Sequence, residues 1–237
     1  MAGKVTEQFG IGRELTEAAE KRAVSALGAA VQGIGTRTAV KVEPVASAAD
    51  AVVEMALGRR ADVTVMATHG RRGLRHLLLG SMTEEVIQHA RSPVLCLREP
   101  ASAAYRRILV PTDLSLASRL AFPMAAFLAR SFGAEVIGLY AAPPATVATL
   151  SGIPERRTSV PSEAALWDFF RSDFKGIPVT AHVYTDVAWD CIVRTAKVEG
   201  ADLIVMATRG HDSVSDRILG STTERTLRHA PCPVLVA

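Results

Sequence analysis

Cysteine is scarce in this 237-residue chain: Cys96, Cys191 and Cys232 are all there is. An odd count argues against a disulfide framework, and no spacing among them matches a metal-ligand or redox motif. Cys96 and Cys232 fall within short apolar runs, which reads as burial. A reducing, cytoplasmic setting is the expectation. Long apolar runs are lacking too, since none approaches the ~20 residues needed to cross a bilayer. The opening "MAGKVTEQFGIGRELTEAAEKR" has no apolar stretch after its lysine, so it does not read as a secretory signal. Excess charge of one sign is also missing. A formal net charge of +3 is too small to suggest a specific nucleic-acid partner, which needs a concentrated basic stripe. The densest basic cluster, Arg71, Arg72, Arg75 and His76, reads as a solvated loop ahead of a polyphosphate or nucleic-acid contact.

What the chain does contain is a repeat. Residues 61–97 align without a gap to residues 201–237, and 17 of the 37 positions are identical. The register continues upstream, where Ala48, Asp50, Val53 and Ala56 match Ala188, Asp190, Val193 and Ala196. Helical periodicity alone does not produce that agreement, so the chain is an internal duplication.

The second copy reads as alternating elements. "RRILVP" (106–111) is an apolar strand. The stretch 115–134 has helical spacing, with Ser115 as N-cap, Gly133 as stop and Pro123 as a kink or interruption. Strands follow at 135–141 and 178–184, with a helix near 161–174 between them. Residues 187–200 form a helix ended by Gly200. "ADLIVMA" is a strand, "STTERTLRHA" starts the last helix and "CPVLVA" is the last strand. Continuous apolar strands alternating with helices imply an α/β fold, an open parallel sheet with helices on both faces.

The first copy is shorter. It offers a helix at 13–32 and strands only at 38–44, 62–67 and 93–97. Counterparts of the first strand, first helix and second strand would precede Met1. The expected organisation is therefore an incomplete domain at 1–100 and a complete one at 105–237. Met1 is then an internal methionine of a longer reading frame, or the first half borrows strands from a partner.

The segments "ILVPTDLS" (108–115), "DLIVMATRG" and "ILGSTTERTLRHAPCPVLV" resemble the universal stress protein family in its tandem two-domain form. The resemblance covers nearly the whole chain. It implies a five-stranded sheet of order 3-2-1-4-5 in the complete domain, with ATP outside the carboxyl ends of the first and fourth strands. That is also where general physics places a ligand in an open α/β sheet. The family's phosphate pattern is Gly, two residues, Gly, nine residues, Gly, then Ser or Thr. The second copy has Ala207, Thr208, Arg209, Gly210, nine residues, Gly220 and Ser221. The first has Ala67, Gly70, nine residues, Gly80 and Ser81. Both copies carry alanine at the first glycine position. That methyl is tolerable if the backbone there needs no positive φ, but it would crowd a nucleotide if it faced one.

Gly210 permits a tight turn and close backbone approach to a ligand. Gly220, Ser221 and Thr222 open a helix whose free N–H groups face an anion, with hydroxyls as further donors. A rival reading makes Gly220 and Ser221 a plain helix start, with Ser221 and Glu224 as a capping box. The resemblance places an adenine contact on Asp113 and the adjoining wall on Pro111 and Thr112. Local physics offers Asp113 as a cap for the following helix instead. Leu139, near the end of the second strand, would line the other side of the base pocket, and Arg209 adds charge near phosphate.

Several chemistries have no motif here. There is no Walker lysine motif, no Gly-x-Gly-x-x-Gly fingerprint and no ligand spacing among Asp212, Asp216 and Glu224 for a resident metal. His89 and His229 read as packed or capping residues. Ser81 and Ser221 have no assigned base, so no catalytic residue is named. Trp167 and Trp189 read as core or interface anchors. The expected protein is a regulatory stress-response protein binding ATP, or AMP or ADP, in its second domain, with Mg²⁺ arriving only on the nucleotide. Two other readings stay open: an interaction scaffold with a vestigial pocket, and a slow ATP hydrolase. The resemblance further implies pairing of the two last strands within the chain, as an internal pseudo-dimer. The incomplete first half suggests a homodimer as well. No protein partner is named by the sequence.

Overall fold

The structure is a computed structural model, and it describes residues 46–67, 79–97, 104–144, 160–208 and 219–237, with Lys21, Arg22 and Ser25. The helix expected at 13–32, apart from those three residues, and the strand expected at 38–44 lie outside the described residues. The chain separates into two compact units, Met1–Ala48 and Ala49–Ala237. Apart from the first residue of its first helix, every element described here belongs to the second unit.

In chain order these are α1 (Ala48–Gly58), β1 (Thr64–Ala67), α2 (Ser81–His89), β2 (Val94–Leu97), β3 (Arg107–Thr112), α3 (Leu116–Arg119), α4 (Phe122–Phe132), β4 (Glu135–Ala142), α5 (Glu163–Arg171), β5 (Val179–Thr185), α6 (Ala188–Val198), β6 (Leu203–Met206), α7 (Ser221–His229) and β7 (Val234–Val236). The strands form one seven-stranded sheet, ordered β1-β2-β7-β6-β3-β4-β5. Within the second copy the order is β5-β4-β3-β6-β7, all parallel. Strand order thus reverses between β3 and β6. The first copy contributes the parallel pair β1–β2. The two copies join where β2 runs antiparallel to β7.

The sheet is fully apolar where it is central because both faces are covered. On one face, Leu109, Leu139, Ile204, Val234 and Val94 pack against helices that include Ile192 of α6 and Leu227 of α7. On the other, Ile108, Val110, Val136, Leu203 and Val205 pack against Phe122 of α4 and Leu166 and Phe170 of α5. Fully burying a side chain of this kind contributes about 1.5–3 kcal/mol.

Local chemistry sets the helix ends. The Ser115 hydroxyl accepts from the Ser118 N–H at 2.9 Å and caps α3. The expected long helix at 115–134 is two helices. Pro123 sits in the first turn of α4, where its missing N–H costs nothing, and the break falls at Leu120–Ala121. Gly133 ends α4 at φ 65, a left-handed conformation that glycine adopts without penalty. At the start of β3, the Asp202 carboxylate accepts from the Arg106 and Arg107 amides at 2.7 and 3.1 Å. That acidic entry residue fixes β6 beside β3.

Trp189 is half-buried with its ring centroid 5.1 Å from that of His229, and Trp167 is exposed beneath the Arg171 guanidinium. Among the described residues no helix is long and apolar enough to cross a membrane.

Candidate functional site

The carboxyl ends of β3, β4 and β6 build the site. β3 ends in Pro111 and Thr112, both buried, and Asp113 follows as an exposed residue. Pro111 pairs with Leu139 in the β3–β4 ladder and Thr112 pairs with Tyr140, so two elements bring these side chains into one register. Leu139 is buried on the sheet face that α6 and α7 cover.

A network of short bonds shapes the turn after β3. The Thr112 and Ser118 hydroxyls lie 2.8 Å apart, the Leu114 N–H donates to Thr112 Oγ1 at 3.0 Å, and Ser118 Oγ donates to the Ser115 carbonyl at 2.9 Å. Leu114 takes φ 62, an uncommon conformation for a non-glycine residue that this network holds in place. Asp113 Oδ1 accepts from the Ser115 N–H at 3.0 Å. The expectation that Asp113 caps the next helix is corrected here: Ser115 is the N-cap, and Asp113 braces the turn before it. Burial, and next the nearby Asp113 charge, push the Tyr140 phenol above its ordinary pKa.

The second half of the site comes from β6 and α7. Gly220 is the N-cap of α7, in extended conformation, and no side chain caps the helix. Ser221 is the first helical residue, so the Ser221–Glu224 capping box is not formed; Glu224 pairs with Arg228 one turn later. The helix start is held against the strand end by other groups. Gly220 N–H donates to the Thr208 carbonyl at 3.1 Å, and the buried Thr223 hydroxyl donates to the Ala207 carbonyl at 3.1 Å. Ser221 is exposed and Thr222 half-buried. A rigidly anchored helix N-terminus without a side-chain cap presents orphan N–H donors and a positive dipole end.

The alanine at position 207 has a physical account. Its backbone is not among the positive-φ residues, and its side chain packs in the α4–α5 core.

Pro111, Thr112, Asp113, Leu139, Ala207, Gly220, Ser221 and Thr222 therefore sit at the carboxyl edge of adjacent strands or at the start of α7. Arg209 and Gly210 lie outside the described residues. Thr223 was missed in reading the sequence, although a signal existed: Thr83 occupies the equivalent position and donates to the Ala67 carbonyl at 3.2 Å. The helix start of the first copy has nearly the same geometry, with Gly80 at φ −64, ψ 134 and Gly220 at φ −63, ψ 140. The copies differ beside it. β6 has β3 as a neighbour, whereas β1 ends the sheet among the described strands. Among the described residues no cluster of His, Cys, Asp and Glu is arranged to hold a metal ion.

This combination, a parallel α/β order that reverses beside an anchored helix start and is present as a tandem repeat, defines a two-copy α/β class of fold. The pattern of the Universal stress protein family matches residues 3–98 and 104–237. The chain belongs to that family. It is 28% identical over 237 residues to Universal stress protein Rv2005c of Mycobacterium tuberculosis, covering 95% of this chain and 76% of that relative. It is 31% identical over 141 residues to Universal stress protein MJ0531 of Methanocaldococcus jannaschii, covering 56% of this chain and 81% of the relative. Among solved structures, a universal stress protein from Archaeoglobus fulgidus matches with a TM-score of 0.71 at 22% identity, over 95% of this chain and 77% of the other. A protein of Pseudomonas aeruginosa described as a putative universal stress protein matches with a TM-score of 0.67 at 17% identity, over 92% and 77%. Both structural likenesses speak to the fold.

Proposed function

We propose that the second repeat binds one adenine nucleotide, ATP first among them, and that the protein works as a nucleotide-responsive regulator in the stress response. The observation that carries this reading is the start of α7: Gly220 caps it without a side-chain bond, and the Thr223 and Gly220 bonds fix it to the end of β6. Backbone N–H groups there, with the Ser221 and Thr222 hydroxyls, suit phosphate. Asp113 and the Pro111–Leu139 pair stand at the neighbouring strand ends, where a base and ribose would lie. Arg209 and Gly210 belong to the connection between β6 and α7, and they complete the phosphate side of the proposal. Mg²⁺ would accompany the nucleotide rather than occupy a protein site. The role proposed is binding rather than turnover. The first repeat keeps the helix start, with Gly80 extended as Gly220 is, and the proposal assigns the nucleotide to the second repeat, where β3 stands beside β6.

The test is calorimetry on nucleotide-free protein with ATP and AMP, with and without Mg²⁺, beside Asp113→Ala. One ATP per chain, lost in the variant while its circular dichroism is unchanged, supports the proposal. Absence of heat under every condition overturns it in favour of a nucleotide-independent interaction module. Two sites per chain would overturn the assignment to the second repeat alone.

A further inference from the structure

The turn between β3 and α3 contains more hydrogen bonds than a helix start requires. α5 begins on the same device as α3. Ser162, at φ −72 and ψ 158, accepts from the Ala165 N–H at 3.1 Å, and Ser115, at φ −76 and ψ 157, accepts from the Ser118 N–H. Val160 and Pro161 precede Ser162, so that cap works without neighbouring hydroxyls. Ahead of α3, the Thr112 and Ser118 side chains add a second layer. They are 7% and 6% exposed, and they reach in from the two sides of the turn, one from the last residue of β3 and the other from the third residue of α3.

Proton accounting gives this layer a direction, because a hydroxyl has one proton to donate. Ser118 Oγ donates its proton to the Ser115 carbonyl at 2.9 Å, so Thr112 is the donor and Ser118 the acceptor at their 2.8 Å contact. Thr112 Oγ1 in turn accepts from the Leu114 N–H at 3.0 Å. The bonds thus run in one chain, from the Leu114 amide through Thr112 and Ser118 to the Ser115 carbonyl. Leu114 is held at φ 62 with its side chain against the apolar core. Asp113, between the two anchored residues, stays exposed with its Oδ1 on the Ser115 N–H.

We propose that Ser118 is a positioning residue of the ligand site: through Thr112 it locks the turn that holds Asp113 at the carboxyl end of β3. The inference rests on the nucleotide reading above, in which Asp113 meets the base and ribose. Ser118 itself is buried behind the turn and acts only through its bonds. Without its hydroxyl the Thr112 proton has no acceptor, the threonine side chain turns to find one, and the Leu114 amide loses its partner. The left-handed residue then relaxes towards commoner backbone conformations, and Asp113 moves with it.

The test is calorimetry of the full chain with ATP and with tripolyphosphate, on the parent, Ser118→Ala, Thr112→Val and the double variant. Ser131→Ala is the control, a serine of α4 whose hydroxyl donates back to the Phe127 carbonyl at 2.8 Å. Circular dichroism verifies each fold, and if Ser118→Ala does not fold, Thr112→Val, nearly the same shape as the parent side chain, carries the comparison. The expected result is ATP binding about tenfold weaker in Ser118→Ala and in Thr112→Val, the scale of one hydrogen bond. The double variant should lose no more than either single one, because the two hydroxyls form one bond. Tripolyphosphate affinity should keep its parent value in Ser118→Ala, since Gly220 and Thr223 tie the start of α7 to the end of β6. Ser131→Ala should match the parent throughout. Parent-level ATP affinity in Ser118→Ala overturns this inference alone. So do equal losses for ATP and tripolyphosphate, or losses that add in the double variant. A parent that binds no ATP overturns the nucleotide reading, and this inference with it.

Discussion

Leu95 and Leu235 face each other in the antiparallel β2–β7 ladder, and they are the same position of the two repeats. Their neighbours obey the same symmetry: Val94 pairs with Val236, and Cys96 pairs with Val234. A pseudo-two-fold axis therefore passes between the two leucines, and the fused chain carries within itself the joint of a symmetric dimer. Leu235 is buried and Leu95 is half-buried.

Removing either leucine should weaken this joint by unequal amounts. Leu235→Ala should cost about 2–4 kcal/mol, the range for a buried leucine truncation. Leu95→Ala should cost less, because part of its surface already meets solvent. Urea unfolding of both variants checks the ranking, and equal losses would contradict it.

The repeats also differ in a way that isolates one hydroxyl. Thr226 of α7 is fully buried, and its Oγ1 has no hydrogen-bond partner. Its counterpart in α2 is Val86, also fully buried and nearly the same shape. An unsatisfied buried polar group costs about 1–3 kcal/mol. Thr226→Val should therefore stabilise the protein by about 1 kcal/mol. Val86→Thr should destabilise it, with thermal melts of the pair giving opposite signs.

Gly138 of β4 is held to glycine by an aromatic neighbour. A Cβ there would stand 2.9 Å from Phe170 Cε2, and that ring is stacked on Phe122 with centroids 4.6 Å apart. The ring has little room to retreat, so Gly138→Ala should cost about 1–3 kcal/mol, as overpacking does. Adding Phe170→Leu should recover part of the loss relative to Phe170→Leu alone. A simple sum of the two effects in denaturant titrations would refute this coupling.

The thiols give a pH dependence with a definite sign. Burial pushes the Cys96 thiol up to about 12, and burial followed by the Asp202 charge pushes Cys232 up to about 12. Unfolded thiols titrate near about 8.5. Between those values the unfolded chain releases protons that the folded chain keeps, so stability falls as pH rises from about 8.5 towards 12. Below that window both states are protonated and the thiols contribute no slope. Cys96→Ala should flatten the alkaline decline in melting temperature while leaving neutral pH behaviour of the same shape. Cys96 should also resist thiol reagents until the protein unfolds.

Much of this architecture is written locally. The gap-free repeat identifies two copies, and apolar runs such as "ILV" and "LIVM" mark strands buried on both faces. Ser115, Pro123, Gly133 and Gly200 each act through their own backbone or side chain, so the ends they impose can be read without knowing the neighbours. The sequence determined the duplication, the alternation of strands and helices and the strand-end position of Asp113. Tertiary structure decided what depends on groups distant along the chain. Ser221 resembles a cap in sequence, yet Gly220 takes that place once Thr223 ties α7 to Ala207. Asp113 resembles a cap, yet the turn built by Thr112, Ser115 and Ser118 makes it a brace. Val65 and Val205 are the same residue at the same repeat position. One is buried and the other is not, because burial comes from what packs over a strand's face, here α4 and α5 over Val205, rather than from the strand itself.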